Sequence, residues 1–431
     1  MICDNISINN KGALTFANQD VISLAEKYGT PLYLLDENKI RENCRKYVDA
    51  MKANFGNNYA VLYASKANSF KKIYNIVESE GMCADVVSVG EIYTALKAGF
   101  SLSKAYFHSN NKTDFDVEFA IENGVGHFVV DNREELEVIN TYAAKKGIKQ
   151  KILLRLTPGI DTHTYEAVNT GKVDSKFGTA IETGQADEIV KYTLGFENID
   201  LCGFHCHIGS MVFDSDTFIR GAEIMIEFIS LMKQKYGFIT RELNLGGGYG
   251  VRYVDSDLTI DIGANIAQVA DYIKDLCAKY DLLLPMILME PGRSIVADAG
   301  MTLYTVGTVK RITGYKNYVS VDGGMSDNPR YALYESEYTL FNATKIGNEA
   351  TLKCDVVGRC CESGDIIQPN VMLPETERGD ILAVCTTGAY NFSMAMNYNR
   401  IARPPVVMLK DGDSYVAVRR ESLDDIIRND I

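Results

Sequence analysis

The segment Ala60–Asn68 reads AVLYASKAN, a short apolar run that ends in polar residues, and this pattern decides the fold because it recurs along the chain. Short β-rich runs separated by helix-length amphipathic stretches predict βα units and a parallel sheet. Eight such units predict a closed (β/α)₈ barrel, whose active site collects at the C-terminal ends of the strands. The eight runs are Ala60–Ala64, Ala84–Val87, Ala105–Phe107, His127–Val130, Ile152–Leu156, Leu201–Phe204, Leu243–Leu245 and Ile287–Met289.

Helices are predicted between these runs. Asp131 and Asn132, directly in front of Arg133, are typical of a helix N-terminus. The gap between the fifth and sixth runs is longer and contains Val173–Gly178, which we interpret as an active-site loop followed by a helix. The predicted helices include Phe70–Glu80, Glu91–Ala98, Arg133–Lys146, Thr217–Lys235 and Ile262–Lys279.

The chain is longer than one barrel requires. A barrel needs about 250 residues, whereas the chain has 431. We predict a barrel at residues 36–298 and a mainly antiparallel β domain formed by residues 1–35 and 299–431. After Ala299 the runs alternate and are rich in Val, Thr and Tyr, and Lys410–Asp413 has the composition of a hairpin turn. The predicted fold class is therefore α/β, a TIM-like barrel plus a C-terminal β domain.

Composition excludes several classes of function. A net charge of −13 with dispersed Lys and Arg argues against nucleic-acid binding. The first residues lack the basic start and apolar core of a signal peptide, and no apolar run approaches the roughly 18 residues of a membrane span. Ten cysteines without regular spacing indicate reduced thiols. We therefore expect a cytoplasmic protein that binds neither membrane nor nucleic acid.

Three strand ends carry residues suited to chemistry. Lys66 follows an apolar strand into the predicted barrel mouth, where a desolvated amine can form an imine with a carbonyl. Gly246–Gly250 is a tight turn or a phosphate loop, and barrels often bind phosphate after strands seven and eight. In Glu290–Arg293, the carboxylate could face a protonated ring nitrogen and the arginine could bind phosphate or carboxylate. The simpler alternatives are a solvated lysine and an ion pair at the barrel rim.

The segment after the sixth run has two interpretations. His205 and His207 share one face of a strand, which is compatible with a metal site. The chain has only five His residues and no second cluster with ligand spacing, so we expect no metal. A His stacked on a flat ring, with Ser210 at a phosphate, suits the neighbouring motifs better. Lysine, phosphate loop and ring-facing carboxylate together describe a pyridoxal 5'-phosphate site.

Six motifs occur in an order that is typical of a known family. With them, the sequence resembles the alanine racemase-like, fold type III pyridoxal phosphate-dependent decarboxylases over nearly its whole length. Cys361–Asp365 and Pro329–Tyr334 are most similar to the branch that acts on diaminopimelate. The six motifs are Tyr63–Asn68 (YASKAN), His205–Ser210 (HCHIGS), Gly246–Gly250 (GGGYG), Glu290–Arg293 (EPGR), Cys361–Asp365 (CESGD) and Gly388–Tyr390 (GAY).

The resemblance implies a role for each matching residue. Lys66 would carry the cofactor covalently, His207 would stack on its ring and Glu290 would keep the ring nitrogen protonated. In this family the β domain of one subunit completes the active site of the other, so Cys361 and Glu362 would come from the partner chain of a homodimer. The phosphate would be bound by Ser210, Gly246, Gly247, Gly248, Gly292, Arg293 and Tyr390.

The resemblance also implies a reaction, the decarboxylation of meso-2,6-diaminopimelate to L-lysine and CO₂ in the last step of lysine biosynthesis. Glu362 would bind the distal ammonium of the substrate. Cys361, or a water that it positions, would protonate Cα, and the adjacent Cys360 is not excluded by the sequence. The distal carboxylate and the rest of the substrate would be bound by Arg293, Arg330, Tyr334 and Tyr390.

Other interpretations stay open. Related decarboxylases act on carboxynorspermidine, ornithine or a D-amino acid, although an ornithine enzyme would need no arginine pair for a distal carboxylate. A racemase would need a tyrosine base where Cys361–Asp365 indicates an acid. A non-catalytic relative that binds a partner protein and a zinc-dependent barrel hydrolase belong to different classes, which an absorbance spectrum and metal analysis would distinguish.

Overall fold

The computed structural model of this protein describes residues 1–160 and 175–431. The chain divides into two compact units. The barrel unit comprises Asn43–Gly250 and Thr259–Gly292, and the β unit comprises Met1–Glu42, Val251–Leu258 and Arg293–Ile431.

The barrel unit contains a closed sheet of eight parallel strands, as predicted. Each strand pairs with the next along the chain, and the eighth strand pairs with the first, so the sheet has closed on itself. A short additional strand, Thr179–Ala180, pairs with the fifth strand. The eight barrel strands are Tyr59–Ala64, Cys83–Val86, Ala105–Phe107, His127–Val130, Gln150–Thr157, Ile199–His205, Glu242–Asn244 and Met286–Met289.

Helices connect the barrel strands, and their ends follow local sequence signals. The Asn132 side chain accepts a hydrogen bond from the Glu135 N–H, and Gly147 ends the same helix in the left-handed conformation, as expected for these residue types. Of the predicted loop Val173–Gly178, residues 173 and 174 lie outside the described residues, and the predicted helix after it is present. The helices are Glu37–Phe55, Lys71–Ser79, Val89–Ala98, Asp114–Glu122, Arg133–Lys146, Gln185–Thr193, Ser215–Tyr236 and Ile262–Lys279.

The β unit is a mainly antiparallel sheet, also as predicted. Leu32–Asp36 is fully buried and pairs antiparallel with the long strand Gly300–Ile312. The hairpin at Lys410–Asp413 is present, and Asp411 and Gly412 both have the positive φ that a two-residue turn requires. The remaining strands of this sheet are Lys316–Val321, Leu340–Asn342, Leu352–Val357, Ile366–Leu373, Ile381–Cys385, Val406–Lys410 and Asp413–Val418.

Smaller elements complete the β unit. Ile6–Ile8, Leu14–Phe16 and Gln19–Asp20 form a separate three-stranded sheet near the N-terminus. No helix among the described residues combines the length and apolar character that crossing a bilayer would require. The short helices of this unit are Val21–Tyr28, Arg293–Val296, Arg330–Tyr334 and Leu423–Ile427.

The barrel interior is apolar at mid-height and polar at both ends. Its middle is a cluster of buried side chains contributed by six different strands. Buried titratable groups lie in the first residues of some strands and directly after the last residues of others. These two ends position the sites described below. The residues of the middle layer are Leu62, Tyr106, Val129, Leu153, Cys202 and Leu288.

Candidate active site

The C-terminal end of the barrel is organised around the carboxylate of Glu290, which follows the eighth strand. Its Oε1 lies 2.8 Å from His108 Nε2 and accepts a 2.7 Å hydrogen bond from the Asn244 side-chain amide. Its Oε2 lies 3.0 Å from His205 Nε2. These partners come from the ends of the third, seventh and sixth strands, so closure of the barrel is what brings the four side chains together.

This set of donors keeps Glu290 ionised. Burial alone would raise the pKa of Glu290, but the neighbouring imidazoles of His108 and His205 hold it well below its usual range. Burial lowers the pKa of His205 to about 4, although Glu290 acts in the opposite direction. His205 is therefore a neutral imidazole that donates its Nε2 proton to the carboxylate. The result is a buried anion with fixed orientation.

Lys66 lies in a short 3₁₀ turn, Ser65–Ala67, that follows the first strand. Its side chain is exposed within the barrel unit, whereas Ser65 and Ala67 on either side are buried. The ammonium is one of the charges felt by the buried Asp85 and by His207. Burial raises the pKa of Asp85, while burial and the cationic charge nearby lower the pKa of His207 well below its ordinary value. His207 is accordingly neutral, which suits an imidazole packed against a flat ring.

The glycines after the seventh strand permit close approach of backbones. A Cβ at Gly247 would lie 2.1 Å from the carbonyl oxygen of Glu290, and one at Gly248 would lie 2.4 Å from that of Gly209. The N–H of Gly246 donates to Asn244 Oδ1, and the N–H of Gly247 contacts His207 Nδ1 at 3.3 Å. The loop is thus packed against the segment that carries His207 and also orients the imidazole ring.

Neighbouring backbone contacts place the other cofactor candidates of the barrel unit. Val212 N donates to Gly248 O, which ties the loop containing Ser210 to the glycine loop. A Cβ at Gly292 would lie 2.9 Å from the Ala64 Cβ, and the Ala64 N–H donates to Pro291 O. The segment after the eighth strand is therefore held against the turn that carries Lys66.

The β unit brings two arginines together around one tyrosine. The guanidinium of Arg293 donates a 2.9 Å hydrogen bond to the Tyr253 hydroxyl and lies 4.7 Å from the centre of the Tyr390 ring. The guanidinium of Arg330 lies 4.3 Å from the centre of the Tyr253 ring and donates to Tyr338. Both arginines are buried. Two buried cations lined by aromatic rings form a site for an anionic group.

The loop Cys360–Asp365 is held by the carboxylate of Asp365 and by Asn399, whose Oδ1 accepts a 2.7 Å hydrogen bond from the Cys361 N–H. Asp365 is buried and accepts hydrogen bonds from the N–H groups of Met325 and Cys360. Cys361 and Glu362 are exposed on the surface of the β unit, whereas Cys360 is buried. The structure therefore separates two adjacent thiols that sequence could not distinguish, because only Cys361 is presented to the outside of this unit.

Tyr390 and Tyr334 occupy different environments. Tyr390 has a φ of 60°, an unusual conformation for a non-glycine residue and one that is often retained at functional sites. Tyr334 is half-buried at the end of the helix Arg330–Tyr334. Arg330 contacts Tyr253 and is hydrogen-bonded to Tyr338, which lies beyond this helix.

Several residues of these clusters were missed by sequence reasoning. Each is an isolated polar residue at the end of a short strand or in a loop. The one usable signal was a charged residue inside an apolar run, as in ILLRL at 152–156, where Arg155 is half-buried. The pKa of Arg155 is lowered by burial, while Asp131, Glu290 and Asp85 act in the opposite direction. The residues missed are Asp85, His108, Arg155, Asn244, Tyr253 and Tyr338.

The chemistry of the donor set fits a protonated heteroaromatic ring. An ionised carboxylate has about four acceptor positions, and among the described residues two side chains, His205 and Asn244, are hydrogen-bonded to Glu290. A ring N–H can therefore be the next donor to a carboxylate whose low pKa keeps it charged. Lys66, in the turn that follows the first strand, and the glycine loop that follows the seventh strand lie at the same end of the barrel. Fold and site together define a barrel enzyme dependent on pyridoxal phosphate.

Comparison with known proteins agrees with this class. Residues 37–297 match the family model described as pyridoxal-dependent decarboxylase, pyridoxal binding domain. The chain belongs to the diaminopimelate decarboxylase family of the pyridoxal phosphate-dependent decarboxylases.

Individual relatives match over nearly their whole length. The chain is 43% identical to diaminopimelate decarboxylase of Halalkalibacterium halodurans, with 98% of this chain and 96% of that protein covered. It is 42% identical to the Bacillus subtilis diaminopimelate decarboxylase, with the same coverage of 98% and 96%. Diaminopimelate decarboxylase from M. jannaschii, solved in co-complex with L-lysine, is 33% identical and superposes with a TM-score of 0.91 over 100% of this chain and 98% of that one.

Proposed function

We propose that this protein decarboxylates meso-2,6-diaminopimelate to L-lysine and CO₂, the last step of lysine biosynthesis. The observation that carries the proposal is the pair of buried arginines, Arg293 and Arg330, that contact Tyr253 from two sides. A substrate with an amino-acid group at each end needs recognition of the carboxylate that does not react. Two guanidinium groups supply that recognition, at about 1.5–3 kcal/mol per charged hydrogen bond. The names of the relatives support the same substrate.

The remaining substrate contacts follow from charge. We assign the distal carboxylate to Arg293 and Arg330, with Tyr334 and Tyr390 lining that position. The distal ammonium is assigned to Glu362, whose side chain is exposed on the β unit. An ornithine-type substrate would leave the arginine pair facing an amine, which costs free energy through repulsion between like charges.

The cofactor is assigned to the residues at the C-terminal end of the barrel and around Arg293. When bound, pyridoxal phosphate supplies an electron sink for the charge left on Cα as CO₂ departs. Lys66 would hold the cofactor covalently through its amine, the neutral ring of His207 would pack on it, and Glu290 would be the partner of its ring nitrogen. The phosphate is assigned to Ser210, Gly246, Gly247, Gly248, Gly292, Arg293 and Tyr390.

Three side chains then divide the proton chemistry. Glu290 stays ionised and keeps a proton on the ring nitrogen, where it is needed to stabilise negative charge. The Lys66 amine would hold the cofactor covalently before the substrate binds. Cys361, or a water that it positions, delivers a proton to Cα. Exposure of Cys361 and burial of Cys360 support this choice between the two thiols.

A homodimer with shared active sites accounts for the position of Cys361 and Glu362. Both side chains lie on the outer surface of the β unit, in a loop that Asp365 holds in place. We propose that the domain formed by residues 1–35 and 299–431 of one subunit completes the site on the barrel, residues 36–298, of the other. The ten free cysteines support a reducing compartment, and we place the protein in the cytoplasm.

Substrate profiling tests the function. Purified protein with pyridoxal phosphate is assayed for CO₂ release from meso- and L,L-diaminopimelate, D- and L-ornithine, D- and L-lysine, and carboxynorspermidine. We expect release from meso-diaminopimelate with L-lysine as the product. Release from another amine in its place would contradict the assignment of Arg293, Arg330 and Glu362.

The Cys361→Ala variant tests the proton donor. Loss of a general acid is expected to lower kcat by about 10²–10⁴-fold. Cys360→Ala is the matched control, and its kcat should fall far less because the Cys360 thiol is buried. Equal effects of the two substitutions would contradict the assignment of Cys361.

Mixing two inactive variants tests the shared site. Lys66→Ala and Cys361→Ala subunits are unfolded together, refolded and assayed. In a heterodimer with shared sites one of the two sites is intact, so about a quarter of the wild-type activity should return. If each site lies within one chain, the mixture stays as inactive as its components.

A further inference from the structure

The N-terminal end of the barrel buries a second group of metal-ligating side chains. His127 and Glu242 are the first residues of the fourth and seventh strands, and Cys202 lies in the sixth strand. Their ligand atoms all lie within 4.8 Å of one another, and all three residues are more than nine-tenths buried. Val129, two residues after His127 and on the same face of its strand, belongs to the interior cluster together with Cys202. The group therefore lines the interior of the barrel.

The hydrogen bonding of this group is incomplete. Within the part of the chain that the structure describes, neither ring nitrogen of His127 has a hydrogen-bond partner, although the ring is stacked on Tyr106 with centres 4.2 Å apart. The Nε2 atom lies 3.3 Å from Glu242 Oε1 without hydrogen-bond geometry. A buried polar atom without a partner costs about 1–3 kcal/mol. A ligand bound by both His127 Nε2 and Glu242 Oε1 would remove this cost.

We propose that His127, Cys202 and Glu242 form a binding site for Zn²⁺ at the N-terminal end of the barrel. Zinc is bound by imidazole nitrogen, thiolate and carboxylate oxygen in tetrahedral geometry, with Zn–N and Zn–O bonds of about 2.0–2.1 Å. Two such ligands on a tetrahedral ion are about 3.3–3.4 Å apart, which matches the separation between His127 Nε2 and Glu242 Oε1. A thiolate and an imidazole together select zinc over magnesium or calcium.

Neighbouring side chains orient the ligands and balance the charge. The Tyr106 hydroxyl donates to Glu242 Oε2 at 3.3 Å, which leaves Oε1 directed at His127. The Arg241 guanidinium lies 3.4 Å from Cys202 Sγ and places a positive charge beside the sulfur. One thiolate and one carboxylate neutralise the two charges of the ion. Arg241, which contacts the sulfur, is half-exposed.

The site differs from the other cluster that could hold a metal. His108, His205 and Glu290 also lie within ligand distance of one another, but that group contains no sulfur. It belongs to the active site and its carboxylate is already hydrogen-bonded. Sulfur coordination therefore distinguishes the two positions without any substitution.

Zinc-edge X-ray absorption of the wild-type holoenzyme is the direct test. The enzyme is equilibrated with one equivalent of ZnCl₂ and passed over a chelating resin. We expect about one retained zinc per chain, with one sulfur at about 2.3 Å and nitrogen or oxygen neighbours at about 2.0 Å. Retention of no zinc, or zinc with only nitrogen and oxygen neighbours, would overturn the proposal.

Cysteine variants then assign the sulfur. Cys202→Ser is expected to weaken zinc binding by at least about 100-fold, whereas Cys277→Ala, another buried cysteine of the barrel unit, should bind zinc as the wild type does. Cys361→Ser removes the exposed thiol and should also leave binding unchanged. Loss of the sulfur signal in Cys361→Ser would show surface binding and overturn the proposal. If the Cys202→Ser variant fails to fold, the absorption experiment still tests the proposal, because it uses the wild-type protein.

Discussion

The two ends of the barrel both bury histidine and carboxylate side chains, but the hydrogen bonding of these side chains differs between the two ends. At the C-terminal end, Glu290 is hydrogen-bonded to His205 and Asn244, and His108 Nε2 lies 2.8 Å from its Oε1 without hydrogen-bond geometry. At the N-terminal end, Glu242 accepts from Tyr106, and His127 has neither ring nitrogen bonded within the described residues. The same barrel therefore contains one carboxylate whose orientation and charge are already set and one group that still lacks a partner.

This difference separates two uses of a buried carboxylate. Several donors on Glu290 keep the anion ionised, and an ionised anion can hold a proton on a bound ring. The His127 ring nitrogens, which have no hydrogen-bond partner among the described residues, suit the binding of a metal ion from solution. In (β/α)₈ barrels chemistry collects at the C-terminal end, whereas the N-terminal end contributes to stability. Substitutions at the first end should therefore change kcat, and those at the second should change stability and metal content.

The largest effect is expected at Lys66. Replacing it with alanine removes the covalent attachment of the cofactor, and kcat should fall by at least about 10⁴-fold. Measured by CO₂ release and by the mass of the protein after borohydride reduction, the variant should show neither activity nor added cofactor. Lys151→Ala, at an exposed lysine near the opposite barrel end, is the control and should keep kcat within about twofold. Normal turnover of the Lys66→Ala enzyme would contradict the assignment of catalysis to the C-terminal end of the barrel.

Glu290→Gln and Glu242→Gln compare the two carboxylates directly. The amide at position 290 keeps the shape but cannot keep the ring nitrogen protonated, so kcat should fall by about 10²–10³-fold. The fall caused by Glu242→Gln should be smaller by a factor of at least about ten. Both are measured as kcat per mole of folded, cofactor-loaded enzyme. Equal losses at the two ends would mean that the distinction between them is wrong.

His205 should make stability depend on pH. Its pKa is lowered to about 4 by burial, while in the unfolded chain it takes up a proton near pH 6.5. The unfolded state therefore gains protons first as the pH falls below about 6.5, and stability is lost progressively down to about pH 4. Between about pH 7 and pH 5, the wild type should lose about 2 kcal/mol more unfolding free energy than His205→Gln does. Urea unfolding at both pH values measures this, and parallel losses in the two proteins would contradict it.

The smallest expected effect is that of Tyr106→Phe. The substitution removes the hydroxyl that donates to Glu242 and should lower the unfolding free energy by about 1 kcal/mol. Tyr249→Phe, which removes a buried hydrogen bond to Asn265 in the same unit, supplies the reference value. An unchanged Tyr106→Phe protein beside a destabilised Tyr249→Phe protein would show that Glu242 does not depend on this hydrogen bond.

The barrel strands could be read from the sequence almost residue by residue. Ala105–Phe107 and His127–Val130 match their predicted limits, and the other six strands differ by one or two residues at one or both ends. The reason is local, because a buried parallel strand is a short apolar run that ends where polar or small residues begin. The hairpin at Lys410–Asp413 was equally clear, since Asp-Gly favours the positive φ of a tight turn. The strand Ile366–Leu373 is harder to recognise from the sequence, because it contains Pro369 and Asn370, which weaken a strand pattern.

The sequence by itself determined the two architectures, the cofactor class and the motif residues Lys66, Glu290 and Arg293, because periodicity and motif order are carried by neighbouring residues. Tertiary structure alone decided which distant residues meet. Asp85 and His108 lie near Glu290, Tyr253 joins Arg293 to Arg330, and His127 meets Cys202 and Glu242. Each of these is a single polar residue that no local sequence motif marks. Its significance arises from proximity, and proximity is set by the closure of a sheet and the packing of loops, which no local pattern encodes.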